Sequence, residues 1–406
     1  MFLIFYLSFI VINFTSNLFA KAGDNRFIPL LSTPYIVPEH KNAYIASAVH
    51  FASATSAYNT ADRQCALPEF YGTLDLGVLS RAWAKVSGSN PLRSYFQDKS
   101  IPCFVDGKVK MQGISCATSY PLVPEISVGG SVLCTRVHTE FSFMLDNLKF
   151  AATDSIYDEL DQQRRLLFDR MGIKQESSTR VGLQEAEIHI AFGSMWERMF
   201  KMRSFSLNGI IGLTFPPTLH TETAAPATIM QGSEKLWGMY LATDNRFVLK
   251  EDLWIQVYLQ VSKRFSKVVD RRLPVLNEPT PFGAAVGQVH FDPGITVLFC
   301  PSFVVGRLRG GLGVTVSYTL TYHQQDHFTD RRVEKHVPVT LEQMQKTSGW
   351  GSDYVSVQVF YDASGDQFDD PAIPIVKFKW DIPTDFFVAK RVAKTHHVMV
   401  GVDCSF

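Results

Sequence analysis

From Leu312 to Tyr322 apolar and polar positions alternate without a break: Leu312, Val314, Val316, Tyr318, Leu320 and Tyr322 stand against Gly313, Thr315, Ser317, Thr319 and Thr321. Successive side chains of an extended strand point to opposite faces, so the pattern predicts a strand with one apolar and one hydroxyl-bearing face. The same period recurs along the chain. Leu253, Ile255, Val257, Leu259 and Val261 oppose Trp254, Gln256, Tyr258, Gln260 and Ser262, and Ala186, Ile188, Ile190 and Phe192 oppose Glu185, Glu187 and His189. Val355, Val357, Val359 and Tyr361 oppose Ser356, Gln358 and Phe360, while Leu133, Val137, Phe141 and Phe143 oppose Arg136, His138, Glu140 and Ser142. Weaker strands are predicted at 43–55, 101–120, 204–215, 295–308 and 373–380, with Pro301 arguing against a central position for the fourth. Pro121 to Pro124 and Gly310-Gly311 supply turns.

Two stretches change period. Asp154 to Met171 sets Ile156, Leu160, Leu167 and Met171 on one helical face, with Asp154 or Ser155 as cap and Gly172 as stop. Its Asp158, Glu159, Asp161, Arg164, Arg165, Asp169 and Arg170 carry too much charge for lipid, so the helix belongs in a loop or in a lumen. A shorter pattern, Leu76, Leu79, Trp83 and Val86, runs into Ser87-Gly88 within the long segment between the first two strands, where it could plug or cap a barrel.

The final segment, His396 to Phe406, alternates as strictly as any. Val398, Val400, Val402, Cys404 and Phe406 share one face and His397, Met399, Gly401, Asp403 and Ser405 the other. An apolar strand ending on an aromatic resembles the C-terminal assembly signal of bacterial outer-membrane β-barrels. The stretch from Pro68 to Asp146 resembles a block of uncharacterised bacterial barrels, a likeness that implies fold and class but brings no substrate or catalytic residue. The resemblance implies an outer-membrane location, contact with outer-membrane lipid and handling by the barrel-assembly machinery. At the other end, Phe2 to Ala20 is uncharged and apolar, and Ala20-Lys21-Ala22 offers small residues for cleavage, as in a secretory signal peptide, although no Lys or Arg precedes the apolar run. The expected organisation is a signal at 1–22 and one barrel domain at 23–406.

Ten or eleven strands emerge from the pattern, and an even-numbered barrel makes the expectation about twelve. Beyond Ala22 no stretch approaches the ~20 apolar residues of a spanning helix, and in lipid only helices and closed barrels satisfy the backbone. The fold class is therefore all-β, a transmembrane antiparallel β-barrel with one or two short helices in loops or lumen. A β-sandwich core could not absorb the apolar faces of so many strands without leaving large exposed patches. Aromatics at strand ends, Trp254, Tyr258, Tyr318, Tyr322, Trp350, Tyr354, Tyr361, Trp380, Phe386, Phe387 and Phe406, are expected in interfacial bands.

Composition narrows the functions. The formal net charge is zero, which removes the basic excess that nucleic-acid binding needs. Six cysteines, at 65, 103, 116, 134, 300 and 404, have no metal-ligand spacing; Cys65 with Cys103 is the favoured disulfide pair, and Cys404 reads as a small hydrophobe. No nucleophile elbow, zinc pair, phosphate loop or C-x-x-C occurs, so neither an enzyme nor a cofactor is expected. Glu187 and His189 on one face suit general-base chemistry less well than a polar lining, and His396 and His397 point opposite ways, which prevents both from holding one ion without a bend. The lumen face is expected to include Arg136, His138, Glu140, Glu187, His189, Gln256, Gln260, Thr315 and Thr319, and the assembly signal Val398, Val400, Val402 and Phe406. These residues point first to porin-like passage of small hydrophilic solutes. The alternatives are a non-conducting structural or surface-interaction barrel, a membrane-embedded hydrolase and a soluble secreted β-protein.

Overall fold

The computed structural model describes residues 25–27, 43–61, 63–123, 125–145, 154–174, 177–197, 202–216, 222–225, 235–363 and 374–405. The predicted signal and Phe406 lie outside these residues. Twelve strands form the wall: β1 (Tyr44–Ala54), β2 (Pro102–Val123), β3 (Ile126–Leu145), β4 (Ser178–Glu197), β5 (Ser204–Phe215), β6 (Gly238–Lys250), β7 (Leu253–Arg264), β8 (Thr296–Arg309), β9 (Leu312–His323), β10 (Trp350–Asp362), β11 (Ile375–Thr384) and β12 (His396–Ser405). Each pairs antiparallel with its neighbour in sequence, and β1 pairs with both β12 and β2, so the sheet closes on itself. Closure removes both sheet edges, which lipid could not satisfy. Pro301 sits in the central strand β8, where the β8–β9 register skips from Phe299 to Ser302; the ladder tolerates a residue without an N–H by breaking locally.

Eleven of these strands coincide with predicted ones. The twelfth, β6, escapes the pattern because Thr243 and Asn245 interrupt its outer face of Met239, Leu241 and Phe247, while Tyr240 and Ala242 make its inner face partly apolar. A hairpin at Gly310-Gly311 shows the backbone requirement most plainly. Both residues have positive φ, at 55° and 91°, and a Cβ on Gly311 would lie 2.0 Å from the carbonyl oxygen of Asp362.

The two rims differ. One carries the hairpins at 251–252 and 310–311 and the paired strand ends Tyr44 and Ser405, and receives the connections 124–125, 198–203 and 363–374. The other receives the connections 55–101, 146–177, 216–237, 265–295, 324–349 and 385–395, whose described residues fold into a cap. Within it α1 (Leu76–Ser87) begins where the Asp75 carboxylate accepts from the Val78 N–H at 3.0 Å and ends at left-handed Gly88, and α2 (Asp154–Arg170) ends before left-handed Gly172. It also holds a three-stranded sheet, Lys267–Leu273, Ala285–Asp292 and His327–Asp330, a second of Ser56–Tyr58, Gln64–Ala66 and Val392–Ala393, and α3 (Leu341–Ser348). Leu79, Leu92, Ile101, Leu167, Phe168, Leu273, Val289 and Met344 form one buried cluster between these pieces. Buried Arg272 ties the first sheet to the end of α2 and to the segment 222–225, donating to the carbonyls of Met171 at 2.7 Å, Gly283 at 3.2 Å and Thr223. Burial pulls its guanidinium down to about 10.

Apolar packing continues from the cap into the barrel mouth. Phe27, Ala52, Ala54, Leu67, Phe70, Val109, Met111, Leu133 and Val137 form a second cluster. It reverses the expected faces of β3: Leu133 and Val137 point inward, and Arg136, His138 and Glu140 point outward. Period two specifies two faces but not which is inside, and here the cap supplies an apolar interior that claims the apolar one. Phe143 likewise packs on Phe168 of α2, with ring centroids 5.1 Å apart, instead of facing lipid. The six cysteines are unbridged; Cys65 packs against the mouth cluster and Cys103 lies in the cap cluster, so the favoured pair is not formed.

Candidate functional site: the barrel interior

Inside the wall the polar faces meet. On β9, Thr315, Ser317, Thr319 and Thr321 are buried while Leu312, Val316 and Tyr322 are exposed on the outside. On β7, Trp254, Gln256, Tyr258, Gln260, Ser262 and Arg264 are buried. The parity that directs Gln256 and Gln260 inward does the same for Trp254 and Tyr258, and on β10 for Trp350 and Tyr354. These four rings therefore leave the expected interfacial bands. Other rings remain outside: Trp196 stacks on Phe205 at 5.6 Å and Phe205 meets Phe247 at 4.9 Å near the turn rim, and Tyr318 meets Phe387 at 5.8 Å near the cap.

Glu187 and His189 on β4 are buried, with His189 Nδ1 3.9 Å from Glu187 Oε1, too far for a hydrogen bond. Ser131 donates to Glu187 at 3.1 Å. Nearby, Arg264 donates to Thr214 at 2.7 Å and to Glu185 at 3.1 Å, Gln256 donates to both Asp244 oxygens at 2.8 and 2.9 Å, and the Tyr258 hydroxyl donates to Gln260 at 2.7 Å. Arg264 and Glu185 thus compensate each other's charge, while neutral donors, Ser131 and Gln256, hydrogen-bond Glu187 and Asp244. That arrangement suits a desolvated interior, where an unpaired ion costs several kcal/mol.

A second network crosses the seam that closes the barrel. Ser115 Oγ on β2 lies 2.7 Å from His50 Nε2 on β1, His50 Nδ1 lies 3.1 Å from His397 Nε2 on β12, and His397 Nδ1 lies 2.6 Å from Asp381 Oδ2 on β11. Lys379 pairs with Asp381 at 3.0 Å, Ser356 of β10 donates to it, and Lys377 pairs with Asp403 at 2.7 Å. With both rings neutral and Asp381 ionised, one set of tautomers satisfies the chain: His397 donates to Asp381, His50 to His397 and Ser115 to His50. Five consecutive strands are stapled by it. Among the described residues no group of three His, Cys, Asp or Glu side chains is arranged to hold a metal ion.

Of the residues expected to line the lumen, Glu187, His189, Gln256, Gln260, Thr315 and Thr319 lie inside. Arg136, His138 and Glu140 do not: they sit on the outer face of β3, where His138 donates to Glu140 at 2.8 Å and meets Thr179 at 2.7 Å. Val398, Val400 and Val402 face outward on β12, opposite His397, Met399 and Asp403. Sequence reasoning missed His50, Ser115 and Asp381. The β11 stretch held the legible signal, since Lys377, Lys379 and Asp381 recur every second residue against Val376, Phe378 and Trp380.

No protein-family model matches the chain, and no curated protein matches its sequence. Solved structures do match it in shape. The chain is similar to the COG4313 outer membrane channel from Pseudomonas putida F1, with a TM-score of 0.50 and 10% identity over 90% of this chain and 96% of that one. Lower scores relate it to the translocator domain of autotransporter NalP from Neisseria meningitidis, at 0.35 and 8% identity over 90% and 88% of the two chains. The Pseudomonas putida toluene transporter TodX gives 0.32 and 10% identity over 90% and 88%. The chain folds as a closed antiparallel β-barrel of twelve strands, of the kind found in bacterial outer membranes.

Proposed function

We propose that the protein is an outer-membrane channel passing small hydrophilic solutes through the barrel interior, by a path held closed at rest by side-chain networks and by the cap. One observation carries this reading: the inward hydroxyls of Ser119, Ser127, Thr135, Thr315 and Thr321 are buried and have no protein partner. Buried hydroxyls without a hydrogen bond each cost about 1–3 kcal/mol, a cost that water entering on opening would remove. A hydroxyl-lined path that takes up water on opening is the chemistry a hydrophilic solute needs. In this reading the leader directs export, the assembly machinery engages β12, the turn rim faces the periplasm and the cap faces outward. Reconstitution into planar bilayers tests it: purified folded barrel should give discrete openings that become more frequent when Arg272→Met loosens the cap. Silent bilayers for both proteins, with the barrel verified by its unheated gel mobility, would refute passage.

A second reading, a non-conducting surface barrel, is favoured by the packing itself, since Thr321, Tyr258, Gln260 and Asp381 are almost wholly inaccessible. The two part company at the bilayer experiment. Neither reading includes catalysis. The Ser115–His50–His397–Asp381 chain has the order of an activated serine, yet the amides flanking Ser115 are committed to the β1 and β3 ladders, leaving none to stabilise an oxyanion. We therefore assign the chain a structural role, and expect folded protein to remain unlabelled by a fluorophosphonate probe. Labelling lost in Ser115→Ala would reverse that assignment.

A further inference from the structure

An open cavity of about 520 Å³ lies where the outer wall meets the cap, lined by Pro216, Lys235, Leu236, Trp237, Phe265 and Lys267 among others. Each wall residue directly extends or flanks a barrel strand: Pro216 follows the last residue of β5, Trp237 precedes the first of β6, and Phe265 follows the last of β7. The backbone fixes the pair of rings, because the Phe265 N–H donates to the Trp237 carbonyl at 2.8 Å and Trp237 packs edge-on against Phe215 at 4.9 Å. Even so, Trp237 is 50% and Phe265 47% exposed. Immediately toward the turn rim the outer surface is Leu213, Met239, Leu241 and Val261, all exposed and apolar. Lys235 and Lys267 stand exposed at the cavity. The carboxylate of Asp292 is already engaged by Lys263 at 2.9 Å.

We propose that this cavity binds a membrane lipid with an anionic phosphate headgroup, its phosphate held between Lys235 and Lys267 and the start of its acyl chain laid on Trp237 and Phe265. Charge complementarity selects the headgroup, and the position at the upper edge of the apolar wall selects a lipid over a soluble anion. Aromatic rings with an apolar body suit the headgroup boundary, and ammonium groups there attract anionic lipid. The cavity is concave and largely apolar, as a site that buries part of an amphiphile must be. The proposal rests on the membrane location alone and not on solute passage.

The test uses the full barrel reconstituted in vesicles of phosphatidylcholine containing either brominated phosphatidylglycerol or brominated phosphatidylcholine. Trp237 emission is isolated as the difference between the wild type and Trp237→Phe. Brominated phosphatidylglycerol should quench this component at lower mole fraction than brominated phosphatidylcholine. The preference should fall about fivefold for each of Lys235→Gln and Lys267→Gln. Both lysines are exposed, and unheated gel mobility verifies that the variants fold. Equal quenching by the two lipids, or a preference untouched in the double variant, would overturn the proposal. So would inorganic phosphate abolishing the difference at an ionic strength where chloride does not, because a free anion would then suffice.

Discussion

Asp381 illustrates how a single side chain serves a wall of several strands. It is fully buried on β11, carries the ion pair to Lys379, accepts from His397 and Ser356, and through His397 and His50 reaches Ser115 on β2. Removing one partner from such a set leaves the others buried and unpaired, a loss of about 3–5 kcal/mol in comparable pairs. Asp381→Ala should therefore lower the temperature at which the barrel loses its compact, unheated gel mobility. Ser115→Ala, at the far end of the chain, should lower it far less. Equal, small effects would mean that the seam network contributes nothing to closure.

At the scale of elements, the cap is a small domain built from loops and is held by charges as well as by its apolar cluster. Arg332 hydrogen-bonds Asp330 at 2.9 and 3.1 Å and holds its carboxyl below the ordinary value of 3.8. Burial pushes Asp326 the other way, but His323 at 2.9 Å and the Gly294 amide at 2.9 Å outweigh it, and its carboxyl also titrates below 3.8. A carboxyl with a depressed folded pKa contributes stability that is fully present above its unfolded value and is lost as pH falls through the folded one. Cap stability should thus be constant from neutrality down to about pH 5 and decline below about pH 4. Hydrogen exchange, corrected for intrinsic rates, should show 326–340 opening at pH 3 while β7 and β9 stay protected. Uniform protection at both pH values would assign cap stability to the apolar cluster alone. The same element explains β3: a cap that supplies an apolar mouth turns Leu133 and Val137 inward and leaves Arg136, His138 and Glu140 outside.

For the whole molecule, the even strand number places Tyr44 and Ser405 on one rim, and antiparallel connectivity sends alternate connections to the other, among them all that exceed the length of 363–374. The architecture is a barrel with one plain rim, one capped rim and a polar interior packed with paired side chains. Period two in the sequence determined most of this: Leu312 to Tyr322 and Leu253 to Val261 could be strands between an apolar and a polar medium and little else, because alternation of that length has no other cheap solution. It also determined the inward set Gln256, Gln260, Thr315 and Thr319, since their opposite faces are unbroken runs of aliphatic and tyrosine side chains. Tertiary structure alone decided the rest. Parity cannot say which face of β3 is inside, since both faces hold residues that some interior would accept, and the answer came from Phe27, Leu67 and Phe70 arriving from distant segments. Nor can one strand announce a partner: His50 and His397 are 347 residues apart, and only closure of β1 on β12 brings their rings together.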